Sequence, residues 1–183
     1  LTTMTDILND ELLADMAPIV SQAADHFASS QIRNAATVGG NICNASPAGD
    51  SIPALLVLDA EVELSSFDGG SVCNRRVPLK DFFTGPGATV KEANELLSAI
   101  CFAVPEQRAK ARFIKSGPRP ALEISIVSAA MSALRDGNEL FHVRLAFGAV
   151  GPTPVRATAT ESLLEGKTLD AQLIEQAVET LLG

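Results

Sequence analysis

The sequence predicts an α+β fold, and three observations carry that prediction. Apolar residues recur at helical steps near the N-terminus and again at the C-terminus. Between them, two runs of alternating apolar and polar residues each fold back at a turn containing Asp-Gly. Strands followed by helices, without strict βα alternation, imply antiparallel sheet layered with helices. With 183 residues of which 46% are hydrophobic, the chain can form one large domain or two small ones with their own cores.

Taken in order, Leu12, Leu13, Met16, Ile19, Val20, Ala23, Ala24 and Phe27 mark one face of an amphipathic helix. Pro18 divides it, because proline fits a first helical turn and breaks an interior. A stretch of small residues, amides and hydroxyls follows from Gln31 to Asp50, and Ile52 to Leu58 reads as a short buried helix. Val62, Leu64 and Phe67-Asp-Gly-Gly70, then Val72 to Val77, form a hairpin ended by Pro78. Asp81 to Gly87 is a loop with two aromatic anchors, and Glu95 to Val104 a strand closed by Pro105.

Glu106 to Lys110 reads as a linker, which places a domain boundary there and divides the chain into residues 1–105 and 106–183. Arg112 to Lys115 begins a strand, 116–120 is an irregular loop, and Glu123 to Leu134 is a long apolar run. The turn Arg135-Asp-Gly-Asn138 leads into an alternating run from Leu140 to Val150, a second antiparallel hairpin. Thr160 or one of its neighbours is placed to cap a helix over 161–165. Asp170 is placed to cap a final helix with Leu173, Ile174, Ala177, Val178, Leu181 and Leu182 on one face. The chain opens inside a helical pattern and stops abruptly at Gly183, so it reads as a fragment.

Charge and cysteine usage narrow the function classes. A formal net charge of −8 and a pI near 4.7 oppose nucleic-acid binding, which needs clustered Lys and Arg. No run of about 18 apolar residues spans a membrane. No basic-then-apolar leader begins the chain, so the expected compartment is the cytoplasm. Cys43, Cys73 and Cys101 are far apart, without Cys-x-x-Cys spacing or a nearby His, so no metal site of this chain's own is expected and the thiols read as reduced. His26 and His142 are isolated and have no nucleophile to pair with. No catalytic residue is assigned.

The stretch Gln31-Ile-Arg-Asn-Ala-Ala-Thr-Val-Gly-Gly-Asn-Ile-Cys-Asn-Ala-Ser-Pro-Ala-Gly-Asp50 is the informative one. Thr37 to Asn41 can bring successive N–H groups close to an anion, since its glycines lack Cβ atoms. A plain turn also explains Gly39-Gly40, and neither a Rossmann nor a P-loop fingerprint is present. The whole string, however, closely resembles the second flavin-binding motif of the molybdenum hydroxylase family, in the FAD-carrying medium subunit or domain of xanthine and carbon monoxide dehydrogenases. The resemblance continues through Leu58-Asp-Ala, Phe82-Phe-Thr-Gly-Pro-Gly, Glu95-Leu-Leu-Ser, Phe113-Ile-Lys, Ser128-Ala-Ala and Leu145 to Pro154.

The resemblance implies the second subdomain of a two-subdomain FAD-binding fold over 1–105. It implies a small C-terminal domain over 106–183, with a three-stranded antiparallel sheet and helices. The family's first flavin motif has no counterpart in the chain. FAD is the implied cofactor, with a molybdenum cofactor and 2Fe-2S clusters on partner chains and NAD+ or another compound as electron acceptor. Rival expectations are a stand-alone flavin oxidoreductase of the same fold superfamily and a cofactor-free docking fragment.

Residue by residue, the resemblance implies that Thr37, Gly39, Gly40 and Asn41 contact the flavin diphosphate or its neighbouring atoms, with Asn44 close by. Asp50 matches an acidic flavin ligand. Phe27 packs near the cofactor, Leu96 touches it, and Lys115 lies near the isoalloxazine end. Plainer readings stand beside these: Phe27 and Leu96 as core residues, Lys115 as an exposed cation, Asp50 as a helix cap. Arg33 fits either phosphate neutralisation or a structural ion pair.

Overall fold

The computed structural model describes residues 1–118 and 124–182. The loop expected over 116–120 and the start of the apolar run at Glu123 therefore lie partly outside the described residues. Six short helices open the chain. α1 (Met4–Asn9) starts from a capping box: Thr3 Oγ1 accepts from the Asp6 N–H, and the Asp6 carboxylate accepts from the Thr3 N–H at 2.7 Å. Asp10 caps α2 (Glu11–Met16), and Pro18 starts α3 (Pro18–Asp25), dividing the two helices as its chemistry predicts. Leu12 departs from the expected face and is 70% exposed, because the break at Ala17 rotates α2 away from the stripe that α3 buries.

α4 (Ser30–Arg33) and α5 (Val38–Cys43) follow, capped by Ser29 and Thr37. Gly39 and Gly40 thus stand in the first turn of a helix rather than in a turn between elements. α6 (Ser51–Leu56) is buried at every position.

The first sheet contains β1 (Glu61–Phe67) and β2 (Val72–Pro78), a hairpin whose turn uses Gly69 at φ +62°. After a 3₁₀ turn at Leu79–Asp81 come the two-strand clip β3 (Phe83–Gly85) and β4 (Ala88–Thr89), then β5 (Glu95–Cys101). The strand order is β2-β1-β5, all antiparallel. β5 stops before the expected Val104 because its partner β1 begins at Glu61, which faces Cys101. Phe82 is the buried aromatic anchor and meets Phe83 edge to face at 5.3 Å.

The second sheet holds β6 (Ala109–Ser116), β7 (Val127–Asp136) and β8 (Glu139–Gly148) as long antiparallel strands. It is extended on β8 by β9 (Val155–Arg156) and β10 (Lys167–Thr168). β6 begins inside the expected linker because Ala109 and Lys110 already pair with Leu134 and Ala133. The tight β7–β8 turn rests on Gly137 at φ +57°. α7 (Thr158–Leu164) starts ahead of Thr160, which is therefore a buried interior residue and not a cap. Asp170 does cap α8 (Ala171–Leu182), its Oδ1 accepting from the Leu173 N–H at 2.8 Å. On α8 only Leu173 and Ala177 are buried, while Ile174, Val178, Leu181 and Leu182 face outward.

Two cores result. The larger joins Met4, Ile19, Ile42, Ile52, Leu55, Val62, Leu64 and Phe82 to Phe113, Ala130 and Ala146 of the second sheet. The smaller places α7 and α8 against Ala133, Leu140 and Val143. Each fully buried Ile, Leu, Phe or Met contributes about 1.5–3 kcal/mol relative to exposure. Among the described residues no helix is long and apolar enough to cross a membrane.

Candidate functional site

Nearly all the sequence-selected residues gather at two places joined by the α5–α6 connection. The first is a cavity of about 380 Å³ between α5 and β5, lined among others by Thr37, Gly39, Gly40, Cys43, Lys91 and Leu96. Local chemistry explains its shape. Thr37 adopts extended backbone at the helix start, and its Oγ1 accepts from the Gly40 N–H at 3.0 Å. Val38 donates to the Thr2 carbonyl at 3.1 Å, so of the three first-turn donors only the Gly39 N–H has no partner among the described residues. A Cβ on Gly40 would stand 2.9 Å from Thr37 Oγ1 and disturb that cap, whereas one on Gly39 would meet only Leu97 Cδ2, at 3.6 Å.

Charge around the cavity is arranged so that its one lining carboxylate is neutralised. Glu95 accepts from Arg75 through both oxygens, at 2.6 and 2.8 Å, and from the Glu92 N–H at 2.7 Å. The Arg75 guanidinium first, and that backbone donor second, hold the Glu95 carboxyl down at about 2. Lys91 is the lining cation, its ammonium donating to the carbonyls of Glu92 and Glu95. Burial pushes the Cys43 thiol up, against the pull of Lys91, so it stays protonated at neutral pH. Leu96 is 74% exposed, which removes the reading of it as a core residue.

The second place is a buried charged cluster. Lys115 donates to Asp50 Oδ2 at 2.7 Å and to the His26 carbonyl at 3.2 Å, and Ser125 donates to Asp50 Oδ1 at 2.6 Å. The side chains of Lys115 and Asp50 are only 5% and 8% exposed, so the reading of Lys115 as a solvent cation fails. Asp50 stands at the start of α6 but makes no side-chain cap there; both its oxygens are turned to β6 and to Ser125. Phe27 is half-buried against the main core beside His26, whose ring meets Phe113 at 5.6 Å.

Asn41 links the two places, its Oδ1 accepting from Ser51 at 2.7 Å, one residue from Asp50. Asn44 is exposed at the C-cap of α5 and lines neither. Arg33 makes no ion pair among the described residues. Its Nη1 donates to the carbonyls of Asp25, Phe27 and Ala28. The sequence reading missed Lys91 and Ser125, which no local motif announces and which tertiary folding alone brings to the site. Cavities of about 410 Å³ beside Asp59 and Arg156, and about 500 Å³ beside Pro18 and Gln107, are lined by none of the selected residues.

Comparison with known proteins gives this geometry a family. Residues 112–183 match the model of the CO dehydrogenase flavoprotein C-terminal domain. A xanthine dehydrogenase FAD-binding subunit of Escherichia coli O157:H7 is 35% identical over 182 residues, 99% of this chain and 61% of that protein. The glyceraldehyde dehydrogenase medium chain of Sulfolobus acidocaldarius is 34% identical over 175 residues, 96% of this chain and 60% of that one. Reconstituted CO dehydrogenase from Oligotropha carboxidovorans superposes with a TM-score of 0.92 at 27% identity, covering 98% of this chain and 61% of that chain. The chain spans about three fifths of the length of the curated relatives it matches. Because residues 1–106 match the model described as the FAD-binding domain in molybdopterin dehydrogenase, the chain belongs to that family of flavoproteins.

Proposed function

We propose that this chain is the FAD-binding electron-transfer component of a molybdenum hydroxylase of the xanthine dehydrogenase kind. In that reading a molybdenum-cofactor chain oxidises the substrate and an iron–sulfur chain carrying 2Fe-2S clusters relays the electrons. FAD held here passes them to NAD+ or another acceptor, in the cytoplasm. The observation that carries the proposal is the Gly39 N–H at the start of α5, which has no partner among the described residues, in a cavity that also presents Thr37, Lys91 and Leu96.

The residues present fit the cofactor. The diphosphate needs donors without competing charge, which the Gly39 N–H and the Thr37 hydroxyl offer while Arg75 neutralises Glu95, and the Gly40 N–H holds the Thr37 side chain in place beside them. Leu96 offers an apolar surface for a ring or ribityl chain, Asn41 ties the cavity side to the Asp50 side through its bond from Ser51, and Asn44 stands exposed close by at the end of α5. Asp50 is the acceptor for a flavin hydroxyl or amide. Lys115 balances its charge and sits at the isoalloxazine end, with Phe27 packed behind. FAD, when bound, supplies the ability to accept electrons singly and release them in pairs. The chain's own residues bind and orient it and set the local field; none needs to move a proton.

The test is co-expression of this chain with the iron–sulfur and molybdenum chains of its complex. Flavin content is then measured, followed by anaerobic bleaching of the flavin absorption on adding substrate and by NAD+ reduction. A complex that contains flavin and bleaches only when all chains are present supports the reading. A flavin-free complex, or turnover by this chain without partners, overturns it.

A further inference from the structure

Four successive carbonyls close the C-terminal end of α3, and two cations divide them. Arg33, at the end of α4, donates through Nη1 to the carbonyls of Asp25 at 3.2 Å, Phe27 at 3.0 Å and Ala28 at 3.4 Å. The carbonyl that it passes over, that of His26, receives the Lys115 ammonium at 3.2 Å. The end of a helix leaves carbonyls unpaired and carries the negative pole of the helix dipole, so cations are favoured there. The turn is also strained. Ala28 stands at φ +43°, a left-handed backbone that a residue with a Cβ keeps only where its surroundings hold it. One side of the turn is tied to β6: Gln22 Oε1 accepts from the Phe113 N–H at 3.0 Å, and the His26 ring meets Phe113 edge to face. Phe113 and Lys115 lie on the same face of that strand. On the other side, no side chain but Arg33 donates to the carbonyls of Phe27 and Ala28 among the described residues.

We infer that Arg33 is a positioning residue for the isoalloxazine end of the flavin site, acting through the turn on Lys115, and the inference rests on the function proposed above. By drawing three carbonyls to itself, Arg33 leaves the His26 carbonyl to Lys115. That acceptor helps to hold the ammonium against Asp50 Oδ2, at 2.7 Å. The same clamp sets the backbone of Phe27, whose ring is half-buried against the main core. Without the guanidinium, Ala28 relaxes toward ordinary backbone and the freed carbonyls turn to water. Lys115 then loses a fixed acceptor. A buried ammonium that shifts changes the field at a flavin beside it, and with it the potential of the ring.

The experiment compares the wild type with Arg33→Met, Arg33→Lys, Lys115→Met and the variant carrying both methionines. In the purified chain without flavin, heteronuclear NMR follows hydrogen exchange of the Lys115 ammonium, assigned by its loss in Lys115→Met. In the co-expressed complex, the midpoint potential and absorption bands of the flavin are measured. Arg33→Met should speed the ammonium exchange by about tenfold or more, the equivalent of one hydrogen bond lost. It should shift the potential and the bands in the direction that Lys115→Met does, and shift them no further once Lys115 is methionine. Arg33→Lys, which keeps a donor for these carbonyls, should recover part of both effects. A lower melting temperature with unchanged exchange and potential is a role in stability alone and overturns the inference while leaving the proposed function standing. Additive shifts in the double variant, or a wild-type ammonium that exchanges too fast to detect, overturn it as well. Weaker binding of FAD with riboflavin binding unchanged places Arg33 on the diphosphate, which also overturns it. A wild-type complex without flavin removes the proposed function and this positioning role together, whatever the ammonium shows.

Discussion

Replacing Lys115 by Met tests the charged cluster most sharply. The substitution preserves much of the aliphatic volume but leaves the Asp50 carboxylate, 8% exposed, with the Ser125 hydroxyl as its remaining side-chain donor among the hydrogen bonds described above. Removing one partner of a buried ion pair costs about 3–5 kcal/mol, because the other charge is stranded in a low dielectric. For a domain of this size each kcal/mol lowers Tm by about 2–4 °C, so the melting point should fall by roughly 6–20 °C. Asp50→Asn in the same chain removes the stranded charge, and the double variant should regain about 2 kcal/mol or more of the loss. Thermal and urea denaturation of the wild type, both single variants and the double variant measure the cycle. A Lys115→Met loss under about 1 kcal/mol, or a double variant no better than the sum of the singles, would refute the claim that this is a coupled buried pair.

Other outcomes follow from the same geometry. Glu95 is held at about 2 in the folded chain, below its ordinary 4.5. Its contribution is therefore fully present above the unfolded value and lost as the pH falls from about 5 toward 2, and acid titration of Arg75→Met should show a shallower decline over that window. A Cβ on Gly148 would stand 2.5 Å from Ser128 Oγ and 3.2 Å from Pro53 Cγ, so Gly148→Ala should destabilise by about 1–3 kcal/mol in urea melts. Ser128 Oγ is buried with no partner among the described residues, so Ser128→Ala alone should be neutral or stabilise by up to about 1 kcal/mol and should partly rescue Gly148→Ala.

What was legible in the sequence was what local chemistry determines. Pro18 suits a helix start, Asp170 suits a helix cap and the Asp-Gly turns suit hairpins, and the structure contains all of these. Distances along the chain hid the rest. Lys115 looked exposed because its acceptor, Asp50, lies 65 residues away, and Ser125 carried no signal at all across 75 residues. The plain-turn alternative for Gly39-Gly40 rested on glycine's frequency in turns, whereas here the Thr37 cap and the Thr2 carbonyl hold a helical first turn around the pair. The outward residues of α8 were misjudged because helical periodicity names a stripe, and the small second core is wide enough for only two of its members.

The central claim is that the cavity at the start of α5 holds the diphosphate of FAD. Its most direct test is a fluorescence titration of FAD into the purified chain and into Gly39→Asp. A Cβ at Gly39 meets Leu97 Cδ2 at an ordinary 3.6 Å, and a carboxylate is tolerated in a first helical turn, so the variant should fold with an unchanged melting temperature. The account predicts saturable binding to the wild type, weakened about tenfold or more by a carboxylate set against the diphosphate. No binding by the wild type, or equal affinity for the two proteins, would contradict it.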